Sequence, residues 1–217
     1  MTDVIAGYWQ ERASSFHHAQ AHTNWTLWHD IFAPYLNPND RTVDLGCGTG
    51  FLSRALGQKH SPIGVDLTAG MLSFHPGPCL QADACALPLL SDSIDAIIGR
   101  NIAWTLPAAA WPEIARVLRP GAQLLLADGP WGCAPAPAGV AWREHYLSAY
   151  NEDTLNALPL ARATSDTYAE FLCTFGFTDI AVRELTEVYD HELVHGTMPG
   201  HEPWRQFLIT AVAPSNA

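Results

Sequence analysis

The pattern of apolar and polar positions changes period repeatedly along the chain. RTVDL (41–45) is a short apolar run of strand type, and FLSRALGQK (51–59) has helical spacing. SPIGVDL (61–67) again reads as a strand and TAGMLSF (68–74) as a helix. PCLQAD (78–83) is a weak strand and SIDAIIGR (93–100) a strong one. PAAAWPEIARVL (107–118) has helical spacing, is stopped by Pro120-Gly121, and precedes the strand AQLLLAD (122–128). Strands separated by helical stretches of about ten residues predict βαβ units around a parallel sheet. Right-handed crossovers then make the sheet doubly wound, an α/β Rossmann-like fold with helices on both faces. No repeat, low-complexity tract or long linker interrupts the pattern, so one domain is expected.

The first strand runs into VDLGCGTG (43–50), with Gly46, Gly48 and Gly50 at alternate positions. This loop lies at the carboxyl end of the sheet, where open α/β folds bind ligands. Missing side chains there let a ligand approach the backbone, and the helix start offers unpaired N–H groups. A dinucleotide fingerprint would need Gly or Ala at its sixth position, which is Phe51 here, and a P-loop would need Gly-Lys-Ser/Thr, which is absent. Asp44 would sit badly beside a pyrophosphate and suits a cationic ligand. Asp66 lies 20 residues after Gly46 at the end of the next strand, the place of a ribose-binding acid; capping the following helix is the plainer alternative. Asp83 closes the third strand, where it could meet an adenine edge. Three acids at successive strand ends beside one glycine loop favour a nucleotide-like ligand over three unrelated caps.

These motifs resemble the class I S-adenosylmethionine-dependent methyltransferases. VDLGCGTG is similar to their first motif, GVDLTAGML to the ribose-binding one and QADACALPL to the adenine-binding one. DSIDAIIGRN resembles the fourth strand, and RVLRPGAQLLLAD the helix, turn and fifth strand of the subgroup that includes ubiquinone and menaquinone C-methyltransferases. The resemblance implies seven strands with the last antiparallel, TDIAVRELTEV (178–188) and RQFLITAVA (205–213) being the sixth and seventh. It implies S-adenosylmethionine as cofactor, leaving as S-adenosylhomocysteine. Its site would comprise Asp44, Gly46, Cys47, Gly48, Gly50, Asp66, Leu67, Met71, Asp83, Ala84, Arg100 and Asn101, with adenosine and methionine lying over the three glycines. It divides the single domain into an N-terminal helical lid (1–38), a cofactor-binding core (39–130), a helical substrate lid (131–176) and a C-terminal strand pair (177–217).

Such methyltransferases share no catalytic motif, because the sulfonium is already activated and the protein mainly positions it. The acceptor must be read from the lids. The stretch GYWQERASSFHHAQAHTNWTLWHD carries Tyr8, Trp9, Arg12, Phe16, Trp25 and Trp28. Tyr8 or Arg12 could meet the methionine carboxylate; equally, the rings could be the buried stripe of an amphipathic helix. Trp104 and Trp131 follow the fourth and fifth strands and would face a flat or cationic substrate, or pack beneath a lid. Of the ten histidines, His18/His22 and His191/His195 are spaced four apart, with His201 nearby. Residues 189–204, YDHELVHGTMPGHEPW, read as a loop or extended hairpin without cysteine, so no metal site is expected. A single histidine as general base fits better, with His18, His22 and His145 as candidates that the sequence does not separate.

Composition narrows the partners. Of 217 residues, 48% are apolar and 15% charged, and the net charge is −11, which disfavours a phosphate-binding surface and hence nucleic acid. No secretory pattern opens MTDVIAGYWQERASS, and no run of 18 apolar residues predicts a membrane span. Five cysteines (47, 79, 85, 133 and 173) form no CxxC pair, as expected of reduced thiols in a cytoplasmic protein. The expected activity is methyl transfer to a small molecule by a monomer or homodimer. The alternatives are a nicotinamide-dependent oxidoreductase, against which Phe51 counts, and a non-catalytic S-adenosylmethionine-binding protein.

Overall fold

A computed structural model describes residues 2–20 and 23–215. Seven strands form one sheet in the order β3-β2-β1-β4-β5-β7-β6. They are β1 (Thr42–Leu45), β2 (Ile63–Asp66), β3 (Cys79–Gln81), β4 (Ile94–Arg100), β5 (Leu118–Asp128), β6 (Thr178–Glu184) and β7 (Phe207–Val212). β7 runs antiparallel to both β5 and β6, and the pairs from β3 to β5 are parallel. The strand order reverses between β1 and β4, the switch point where open α/β sheets bind ligands.

The inner strands β1, β4, β5 and β7 are largely buried on both faces, which is why they read as apolar runs, whereas the edge strands β3 and β6 are largely exposed. Val43, Leu45, Ile97, Leu124 and Ile209 face α5 (Ala110–Val117) and α8 (Ser165–Cys173) through Trp111, Ile114, Tyr168 and Leu172. Ala96, Ile98, Leu125 and Leu208 face the other way. They meet Trp28 and Phe32 of α2 (Trp25–Phe32), Leu52 and Leu56 of α3 (Phe51–His60) and Val188 of α9 (Thr186–His195). The remaining helices are α1 (Thr2–Ala19), the short α4 (Ala69–Leu72), α6 (Arg143–Ala149) and α7 (Glu152–Ala157).

Three expectations need correction. Pro120-Gly121 does not separate helix from strand: α5 ends at Val117 and β5 begins at Leu118. Ile94 pairs with Leu118 but Ala96 already pairs with Gln123, so the Pro-Gly pair bulges out within the strand. The sixth strand stops at Glu184, and Thr186–His195 is a helix rather than a loop or hairpin. His191 and His195 therefore do share a helix, with ring centroids 4.4 Å apart. The stretch 131–176 is not uniform either. Its last helix, α8, is core, with Phe171 edge-on to Trp111 at 5.4 Å.

Candidate active site

A cavity of about 250 Å³ opens at the carboxyl ends of β1, β2 and β4. α1 runs along it. Ile5, Tyr8, Trp9, Arg12, Phe16 and Gln20, spaced three and four apart on one helical face, all line it. The helix is latched from both sides. Trp9 Nε1 donates to Tyr150 Oη at 2.8 Å, and Gly70 N donates to Gln10 Oε1 at 2.8 Å. The two readings of its aromatic residues thus merge: Tyr8 is only 5% exposed, packed edge-on against Trp9, Tyr146 and Tyr150, and it is also cavity wall.

The three glycines of the loop have φ of +64°, +53° and +84°. Their roles differ. A Cβ on Gly46 would lie 2.4 Å from the Ile102 side chain, so this glycine serves packing. A Cβ on Gly48 would meet nothing nearer than Met71 Sδ at 3.8 Å, so this one leaves a bare surface facing the cavity. Gly50 is the exception among the expected cofactor residues. It starts α3 with its Cα turned toward Pro76 and does not line the cavity. The other candidates, Asp44, Gly46, Cys47, Gly48, Asp66, Leu67, Met71, Asp83, Ala84, Arg100 and Asn101, all do, as do Tyr8, Arg12, Trp104 and Trp131.

The acids are held differently. Asp44 is 2% exposed, accepts from Ser53 Oγ at 3.3 Å, and is pushed up to about 7 by burial, with the charge of Asp66 adding. Asp66 Oδ2 accepts the Gly48 N–H at 2.9 Å, while Oδ1 accepts the Thr68 N–H at 2.9 Å and hydroxyl at 2.8 Å. Burial raises its pKa against the pull of these bonds. Asp66 therefore clasps the glycine loop to the start of α4 as well as facing the cavity. Asp83 Oδ1 accepts the Cys85 N–H at 2.8 Å. Burial raises the Cys47 thiol, which leaves it protonated and unreactive.

Several cavity-lining polar atoms lack partners although they are buried: Arg12 Nε, Gln20 Nε2, Arg100 Nε and Asn101 Oδ1. Burying such groups unpaired is costly, so they point to a ligand. Arg100 lies between the rings of Trp28, at 4.4 Å, and Phe51, at 4.0 Å, and enclosure lowers it to about 10. Asn101 adopts φ +55° and its N–H donates to Ala127 O at 2.9 Å.

Away from the glycine loop the wall is aromatic: Tyr8, Trp9, Trp104, Trp131 and Tyr146. Trp104 tilts against Tyr150 at 4.6 Å, and its backbone N–H donates to Asp128 Oδ2 at 3.2 Å. Asp128 is fully buried and pushed up to about 7 by that burial. The Arg12 guanidinium lies 3.7 Å over the Trp142 ring.

Of the expected histidines, the two that are described do not line this space. His18 is exposed and bonds Ser14 O of its own helix at 2.7 Å. His145 is 67% exposed and pairs with Glu11 at 2.9 Å, and His22 lies outside the described residues. His201 lines the cavity instead, on the loop between α9 and β7, stacked on Trp142 at 5.6 Å. Burial and the Arg12 cation lower its pKa. Gln20, Glu192 and Gln206 also line the cavity and carried no motif that would have announced them. Among the described residues no group of three His, Cys, Asp or Glu could hold a metal ion.

Comparison with known proteins agrees with this geometry. Residues 43–126 match the family model described as a methyltransferase domain. An uncharacterised methyltransferase of Mycobacterium tuberculosis is 37% identical over 91 residues, 39% of this chain and 37% of its own. An O-methyltransferase of Pyrenophora dematioidea is 28% identical over 169 residues, covering 66% of this chain and 62% of its own. The matched part thus spans little more than a third of the mycobacterial relative. Among solved structures, an S-adenosylmethionine-dependent methyltransferase of Thermotoga maritima, titled a possible histamine N-methyltransferase, superposes with a TM-score of 0.67 at 16% identity, over 96% of this chain and 99% of that one. A geranyl diphosphate C-methyltransferase of Streptomyces coelicolor, solved with S-adenosylhomocysteine, superposes at 0.63 and 14% identity, over 85% of this chain and 74% of that one. The chain has the seven-stranded fold of the S-adenosylmethionine-dependent methyltransferases, and its residues 43–126 carry the methyltransferase-domain pattern.

Proposed function

We propose that the protein binds S-adenosylmethionine in this cavity and transfers its methyl group to a small-molecule acceptor, releasing S-adenosylhomocysteine. The supporting observation is the set of carboxylates Asp44, Asp66 and Asp83 around the bare face of Gly48, in a cavity with unpartnered buried polar atoms. In this reading Asp66 takes the ribose hydroxyls. Asp83, Leu67, Met71 and Ala84 surround the adenine. Asp44, Gly46, Cys47 and Asn101 receive the cationic methionine end, and Arg12 and Tyr8 its carboxylate. Arg100 borders that end, and Gly50 supports the loop from behind. The bound cofactor supplies an electrophilic methyl group. The chain's own residues orient it and exclude water, with α1 and residues 131–146 as the enclosing segments.

The aromatic wall suits a flat acceptor, while the Arg12 charge beside it disfavours a cationic one. His201, kept neutral, is the group placed to accept a proton from an acceptor O–H or N–H. The acceptors named in the solved relatives differ from one another, so the fold does not choose among them, and the ubiquinone-type subgroup remains part of the proposal. We place the enzyme in the cytoplasm on its unpaired cysteines. Among the described residues no helix is long and apolar enough to cross a membrane. Titration calorimetry with S-adenosylhomocysteine and, separately, NAD tests the reading: tight binding of the first is expected, and preference for NAD overturns it.

A further inference from the structure

Behind the glycine loop, three side chains form a chain of hydrogen bonds that methyl transfer itself does not call for. Ser53 Oγ, on the first turn of α3, lies 3.3 Å from Asp44 Oδ2 and 3.0 Å from His75 Nε2. His75 reaches inward because residue 64 is glycine: a Cβ there would lie 2.5 Å from Nε2. At the other side of the ring, Nδ1 lies 3.1 Å from both the carbonyl oxygen and the N–H of Gly77, which is exposed. Either neutral tautomer is therefore satisfied: Nδ1–H donates to Gly77 O, or unprotonated Nδ1 accepts from Gly77 N.

We propose that Ser53 and His75 are positioning residues that hold the Asp44 carboxylate ready for the cationic end of the cofactor and carry its proton to the surface when the cofactor binds. This rests on the cavity being an S-adenosylmethionine site. The protons balance. Asp44 gives its proton to Ser53 Oγ, while Ser53 gives its own to His75 Nε2. His75 then releases the Nδ1 proton to water and turns to the tautomer that accepts from Gly77. One proton leaves the protein and the imidazole ends neutral. Burial and the nearby Arg54 cation keep His75 below the usual imidazole range, so it passes a proton on rather than storing charge. The other groups facing the chain are Asp66, which opposes ionisation of Asp44 and favours protonation of His75, and the Cys47 thiol. Asp44 is pushed up to about 7, so near neutrality about half its population has a proton to lose.

Two measurements test this. The first needs no ligand: the Asp44 carboxyl is titrated by carbon NMR in the wild type, Ser53→Ala, Ser53→Thr and His75→Gln. Loss of the hydroxyl should move the midpoint up, threonine should restore it, and glutamine should shift it partway. A midpoint that stays in place in both Ser53→Ala and His75→Gln overturns the proposal. The second is calorimetry with S-adenosylhomocysteine in buffers of different ionisation enthalpy. The wild type should release about half a proton at pH 7 and bind ~10-fold more weakly at pH 6 than at pH 8, and Asp44→Asn should remove both effects. Undiminished proton release in Asp44→Asn overturns the coupling. No binding at any pH would instead remove the cofactor reading and the relay with it, and the ligand-free titration would still decide whether Ser53 and His75 hold the Asp44 carboxylate.

Discussion

Replacing Asp66 by alanine should damage stability and cofactor affinity together. The carboxylate satisfies three donors, the N–H of Gly48 and the N–H and hydroxyl of Thr68. Hydrogen bonds to a charged group contribute roughly 1.5–3 kcal/mol each. Burial of that charge, visible in the raised pKa, offsets part of the sum. Gly48 and Thr68 both line the cavity, where water can replace part of the lost oxygen, although Thr68 is only 4% exposed and recovers less of it. A net loss of about 2–4 kcal/mol follows, which for a chain of this size lowers Tm by about 4–16 °C. Loss of the ribose acceptor and of the fixed loop should weaken S-adenosylhomocysteine by about 10–100-fold. Asp66→Asn, which keeps one acceptor oxygen, should fall between. Thermal unfolding without ligand and calorimetry well below Tm separate the two effects. A lowered Tm with unchanged affinity would reduce Asp66 to a loop clasp; if neither quantity moved, both roles would be refuted.

Gly48→Ala should cost only about 1–2 kcal/mol, because the added methyl meets open space in a left-handed conformation, yet it should weaken S-adenosylhomocysteine more than it lowers Tm suggests; a purely structural loss would contradict this. Asp128, raised from 3.8 to about 7 in the fold, favours the folded state most below pH 4 and loses that contribution as pH climbs to about 7. The Tm difference between Asp128→Asn and wild type should therefore move in the variant's favour from pH 4 to 7 and level off above, and a flat difference would show that Asp128 does not titrate there. Removing residues 1–20 should leave the circular dichroism of the sheet intact and weaken S-adenosylhomocysteine by more than ~100-fold, since seven cavity-lining residues leave with this segment; unchanged affinity would show that the helix is not part of the cofactor site.

What the sequence made legible were the parts governed by local pattern. β1, β2 and β4 fall within two residues of where periodicity put them, and β7 within two residues of where the family resemblance put it. The cavity-lining carboxylates Asp44, Asp66 and Asp83 were legible because strand ends are topological positions, fixed once the βαβ order is known. Thr186–His195 was not, because its first residues were read as the end of the sixth strand and the helix begins without a capping side chain to mark it. Pro120-Gly121 misled for a related reason: the pair usually ends an element, but here β5 absorbs it in a bulge. His18 and His145 were named from spacing and lid position, which say nothing of which way a side chain turns: both are exposed, while His201, some 180 residues beyond His18, lines the cavity from a loop.

The Trp9–Tyr150 hydrogen bond joins positions 141 residues apart. α1 can meet α4 through Gln10 and Gly70 early in synthesis, but its second latch must wait until the chain has been made past α6. The sheet can assemble from neighbouring βαβ units, whereas closure of the cavity depends on this long-range contact. In refolding, ligand binding should accordingly lag behind recovery of secondary structure. Conditions that slow late docking would then yield molecules with a complete sheet and an open, inactive site.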